Sequence, residues 1–166
     1  MVALITNISL SFVCDKLNSN DRSEIAFGLN ILRREVDFGS QIKLSDELFK
    51  GIFRASAIDP EVINAPDDCD DLHLEAARII VKLGNEPLLR LVRCLASEDR
   101  ETRVDAGCTI LSCMRYWAEK YSQVTPKTRD QVTSALQSAI PSFDVALHEM
   151  FEEGIREYGS GSEVNN

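Results

Sequence analysis

Residues that could do chemistry are few. His148-Glu149-x-x-Glu152 has the outline of a zinc-protease helix, in which two histidines one helical turn apart hold the metal and a glutamate acts as base. Here Glu152 stands where the second histidine belongs, and the chain has only 2 His, so a three-ligand catalytic zinc site is undersupplied and the segment reads as a solvated acidic helix face. Asp67, Asp68, Asp70 and Asp71 offer carboxylates to a calcium ion, but the mid-loop glycine of an EF-hand loop is missing. That run reads first as a self-repelling loop, next as a surface for a basic partner, and last as a cation site. No Ser-His-Asp or Cys-His arrangement can be drawn, and no glycine-rich loop is built to cradle phosphate. The expectation is a protein with no cofactor and no catalytic centre. The rival is a small all-helical enzyme acting on a cationic or metal-bound substrate.

Aromatic residues are the other candidates, since Trp and Tyr dominate binding hot spots. Trp117 falls at the edge of an apolar stripe and reads as core. Tyr116 points away from Leu111 and Met114 and is the better contact residue.

These residues must be positioned by helices. From residue 72 to 121 three apolar-periodic runs follow one another: Ala76, Ile80 and Leu83; Leu88, Leu91, Val92 and Leu95; then Val104, Cys108, Leu111, Met114, Ala118 and Tyr121. Steps of three and four predict amphipathic helices, and breaks as short as Gly84-Asn85-Glu86-Pro87 and Ser97-Glu98-Asp99 force neighbours to pack. With that phase the third helix, 101–121, has Leu111 central in the core and turns Glu101, Asp105, Thr109, Ser112, Tyr116 and Glu119 outward.

The stretch resembles the HEAT and armadillo helical-repeat superfamily. The resemblance is carried by Leu91-Val92-Arg93-Cys94-Leu95, the turn Ser97-Glu98-Asp99, and then Glu101, Arg103, Asp105-Ala106 and Leu111, with 75–85 similar to the end of an armadillo-type third helix. It covers about a third of the chain, and such a pattern speaks to fold more than to function. It implies an all-α, right-handed α-solenoid of about seven or eight antiparallel helices. It also implies that helix 101–121 lines a concave side.

The remaining segments extend the pattern. An opening helix is expected over 2–17. Asp21 with Glu24 predicts a capping-box start to a helix reaching about Asp37, with Ile25, Gly28, Leu29, Leu32 and Val36 inward and Gly39 as its left-handed end. Ser45-Asp46-Glu47 opens another helix, burying Leu48, Phe49, Ile52, Phe53 and Ser56. Thr125-Pro126 starts a further one. Pro141-Ser142 breaks it and caps the last, whose inward face is Phe143, Leu147, Met150 and Phe151. Residues 17–32 echo 95–111: both read Leu-x-Ser-x-Asp-Arg, then reach Gly and Ile-Leu. The echoing helix adds Asn30, Arg33 and Asp37 to the outward stripe. Residues 59–71, with Pro60, Pro66 and no Lys or Arg, read as an acidic linker between sub-blocks 1–58 and 72–158 of one domain. Residues 159–166 read as a flexible tail.

Composition bounds the function. The 166 residues carry 18 basic and 27 acidic side chains, a net charge of -9. That disfavours nucleic acid and anionic membranes as partners and permits a basic protein. The 5 cysteines form no Cys-x-x-Cys pair, as expected of apolar fillers in a reducing compartment. The apolar start lacks a basic flank and a cleavage site, and no run reaches the ~18 residues of a membrane span, so a cytoplasmic location is expected. The resulting expectation is a non-enzymatic protein-interaction module. In a sharper form it is an acidic inhibitor or immunity-type protein covering a basic site through Glu101, Asp105, Ser112, Tyr116, Glu119, Arg33 and Asp37.

Overall fold

The computed structural model describes residues 7–57 and 72–159. The linker 59–71, with Asp67, Asp68, Asp70 and Asp71, lies outside the described residues, as does the tail beyond Gly159. The described residues are all-helical: they form eight α-helices and one 3-10 turn, and no strand. The chain divides into two compact units, 1–79 and 80–166.

In the first unit α1 (Asn7–Leu17) packs against both α2 (Arg22–Asp37) and α3 (Asp46–Ser56). Leu17, fully buried, is the shared contact. A Cβ on Gly28 of α2 would lie 3.3 Å from Leu17 Cδ2, and one on Gly51 of α3 only 2.8 Å from Leu17 Cβ. Missing side chains let both helices close on one leucine. Ile25, Leu29, Leu32, Leu48 and Ile52 complete this core, as their spacing predicts. α2 ends as expected: Gly39 has φ +75°, its N–H donates to Val36 O, and Ser40 N–H donates to Glu35 O. That pair of bonds is the Schellman arrangement, which satisfies the last carbonyls of the helix.

The division between the units falls inside α4 (Leu72–Leu83). α4 buries Ala76, Ala77, Ile79, Ile80 and Val81, a broader apolar surface than the single predicted stripe, while Leu83 is half-buried.

In the second unit α5 (Asn85–Cys94) packs on α6 (Arg100–Met114) and α7 (Pro126–Ala139), and α8 (Val145–Tyr158) packs on α6 and α7. The predicted break at 84–87 shrinks to Gly84 alone, at φ +95°. Pro87 sits in the first turn of α5, where its missing N–H costs nothing. Gly107 of α6 faces the buried rings of Phe151 and Phe143, which lie 4.6 Å apart. Thr125 caps α7 through Thr128 N–H, with Pro126 in the first turn.

The echoing segments share one cap. Ser19 Oγ accepts from Asp21 N–H at 3.0 Å, and Ser97 Oγ accepts from Asp99 N–H at 3.2 Å. Each aspartate then caps the next helix: Asp21 takes the N–H and hydroxyl of Ser23, and Asp99 those of Thr102. The expected capping box does not close at Glu24. Its partner is Lys16, 2.5 Å away, because Ser19 already satisfies the Asp21 N–H.

Other expectations fail near the C-terminus. α6 stops at Met114, and 115–121 is a run of turns and bends. Ala118 and Tyr121, expected inside, are exposed, whereas Trp117 is fully buried as core. Asp144, not Ser142, occupies the cap position of α8, and its carboxylate pairs with Arg100. Met150 is exposed, and Ile155 takes an inward position instead.

Candidate functional site

α6 carries most of the predicted contact residues, and its phase differs from the expected one. Ala106, Gly107, Thr109, Ile110, Cys113 and Met114 are buried. On the other side Glu101 is exposed, and Val104, Asp105, Cys108, Leu111 and Ser112 are half-exposed. Thr109, expected outward, is 1% exposed, and Leu111, expected at the centre of the core, is half-buried. Apolar residues lie all round this helix, so spacing alone does not pick the buried side. The close approach of α8 picks it: Phe151 rests on Gly107, and Leu111 lies against Gly154.

Glu101, Asp105 and Ser112 remain on one face, within a narrow arc at 100° per residue. Burial pushes the Asp105 carboxyl above the usual carboxylate range, and the charges of Glu101 and Asp99 add to this. Asp99 is moved the other way by the hydroxyl and N–H of Thr102. Burial, then the charge of Asp105, raises the Cys108 thiol, which makes it a poor nucleophile. The Ser112 hydroxyl donates to Cys108 O at 3.1 Å, so its donor is spent inside the helix. Two arginines of the same helix are engaged elsewhere. Arg100 pairs with Asp144, and Arg103 donates to the carbonyls of Ser97 and Glu98. No ion pair joins Glu101 or Asp105 to a cation among the described residues.

Tyr116 and Glu119 fall beyond the end of α6. Tyr116 is half-buried, its N–H donating to Cys113 O, and Glu119 is exposed on the following turn. They do not continue the α6 stripe in helical register. Arg33 and Asp37 lie exposed on α2 in the other unit, where Arg33 Nε pairs with Glu75 at 3.1 Å.

One aromatic surface lies outside the faces that the apolar spacing marks. Phe12 and Phe27 meet edge to face with centroids 6.3 Å apart, yet are 45% and 51% exposed, and Phe38 is 80% exposed. The signal was present in α2: Phe27 is off the face defined by Ile25, Leu29 and Leu32.

Among the described residues no group of three His, Cys, Asp or Glu is placed to hold a metal, and His148 Nε2 lies 3.0 Å from Phe143 O. No helix among them is long and apolar enough to cross a membrane. No protein-family model matches the chain, and no curated protein matches it.

Proposed function

We propose that this chain is a non-enzymatic protein-interaction module that engages a basic partner through the half-exposed face of α6. The observation that carries this reading is the composition of that face. Glu101 and Asp105 stand beside half-buried Val104 and Leu111, with the neighbouring arginines engaged elsewhere. Apolar contact area beside uncompensated acids suits a cationic protein surface, which would relieve the like-charge cost at Asp105. Tyr116 and Glu119 form the rim beyond the helix end, and Arg33 and Asp37, in the first unit, would make a contact of their own. In its sharper form the module is an acidic inhibitor covering a basic site.

The architecture proposed for it is a right-handed HEAT/armadillo-like stack. Its support is the recurrence of one Ser-x-Asp cap at the starts of α2 and α6, each joining a pair of packed helices. Repeat proteins reuse such a unit because one unit cannot bury its own apolar face. Free thiols used as apolar filling, as at Cys14 and Cys113, fit a reducing location such as the cytoplasm.

The test is capture of partners from the native cell by the wild type and by a Glu101→Lys/Asp105→Lys variant, with folding checked by melting. The expected result is a partner retained by the wild type and lost by the variant, with association that slows as salt rises. A partner held equally by both proteins rules out this face. Stoichiometric metal in the purified protein would favour an enzyme instead.

A further inference from the structure

The second unit carries a groove that the α6 face does not use. It lies between α7 and α8 and has a volume of about 540 Å³. Ile140 and Ile155 supply an apolar floor, Thr133 and Gln137 line the α7 side, and Glu152 and Arg156 line the α8 side. The Thr133 hydroxyl oxygen is buried with no hydrogen-bond partner among the described residues, a cost that an occupant can remove. Around the groove α8 is acidic, with Glu149, Glu152, Glu153 and Glu157 against the single Arg156.

From this arrangement we infer that the α7–α8 groove binds an extended segment of a partner protein in which lysine or arginine alternates with aliphatic residues. The inference rests on the protein-interaction reading and gives it a second contact. Each part of the lining has a role toward such a segment. Ile140 and Ile155 receive an aliphatic side chain. Glu152 pairs with the cation, while Arg156 and Gln137 donate to peptide carbonyls. Rotation of Thr133 about χ1, between ordinary staggered wells, turns its hydroxyl toward the peptide. The glutamates on the outer side of α8 steer a cationic chain without touching it. The lining itself holds one carboxylate and one guanidinium, Glu152 and Arg156, so the preference for a basic segment comes from the field of Glu149, Glu153 and Glu157 on the same helix.

The test uses the full chain and a fluorescently labelled hexapeptide alternating leucine and lysine, with glutamate and serine counterparts, read by anisotropy. The lysine peptide is expected to bind and the other two to bind at least about tenfold more weakly. Glu152→Lys and Glu153→Lys change the net charge equally, but only Glu152 lines the groove. Glu152→Lys should weaken binding by about tenfold or more, and Glu153→Lys by less than about threefold. Thr133→Val should weaken binding while leaving the protein at least as stable, because it removes an unpartnered buried hydroxyl. Equal losses in the two lysine variants, or equal binding of the three peptides, would overturn the groove assignment. That outcome leaves the α6 face to be judged by partner capture. Conversely, capture that ignores Glu101 and Asp105 leaves the peptide result standing.

Discussion

The ring of Phe151 occupies the space that a side chain on Gly107 would need. A Cβ there would lie 2.9 Å from both Cε1 and Cζ, and 3.1 Å from Cζ of Phe143. Phe151 is fully buried and Phe143 nearly so, so neither ring has room to retreat. In an exposed helix Gly→Ala would gain about 1 kcal/mol from propensity. Here Gly107→Ala should instead destabilise the protein by a net ~1–3 kcal/mol, as overpacking does. Denaturant melts decide the sign, and a stabilised variant would show that α6 and α8 are not this close.

Leu17 plays the corresponding part in the first unit, fully buried against Gly28 and Gly51. Leu17→Ala should cost roughly 2–5 kcal/mol by opening a cavity at a junction of three helices. Leu111→Ala, at a half-buried position, should cost at least about 1 kcal/mol less, because water already reaches part of the side chain. Equal losses would place Leu111 in the core after all.

The carboxylates at the start of α6 should titrate in opposite directions. Asp105 holds its proton more tightly in the folded chain than in the unfolded one. Stability therefore falls as pH rises through the window between the ordinary aspartate value of about 4 and the raised one. Asp105→Asn should be more stable than the wild type at pH 7, and the difference should close below the ordinary aspartate range. Asp99 is shifted downward. Its contribution is present above its ordinary pKa and lost as pH falls through the lowered one. Asp99→Ala should be less stable at pH 7 and should converge with the wild type in acid. Urea melts across this range give both signs.

Thiol labelling should separate the cysteines by burial. Burial strongly raises Cys113, and Cys14 is also buried and raised, with the charges of Glu47 and Asp15 adding to its burial. Neither should react with a maleimide at pH 7 in the folded protein, because the thiolate is the reacting species. Cys94 and Cys108 are half-buried and should react slowly. Mass spectrometry of digested, labelled protein reads the order, and fast modification of Cys113 would contradict its place in the core.

Helix existence and the starts of α2, α3 and α7 were legible in the sequence because they are local. A cap needs one acceptor side chain beside the orphan N–H groups of the first turn, so Ser45, Asp21 and Thr125 could be read directly. The left-handed end at Gly39 follows from the same reasoning, since only glycine takes that conformation without cost. The buried side of α2 was also legible, because Ile25, Leu29 and Leu32 recur at helical spacing along one side. Tertiary structure decided what depends on a second helix. The phase of α6 was hidden because apolar residues surround it, and the side that buries is set by Phe151 meeting Gly107. The end of α6 at Met114, which takes Tyr116 and Glu119 out of the predicted stripe, was hidden too. Three-residue spacing persists into turns, and the burial of Trp117 comes from packing. The α7–α8 groove has no trace along the chain, since Gln137 and Glu152 approach one space only when two helices are laid side by side.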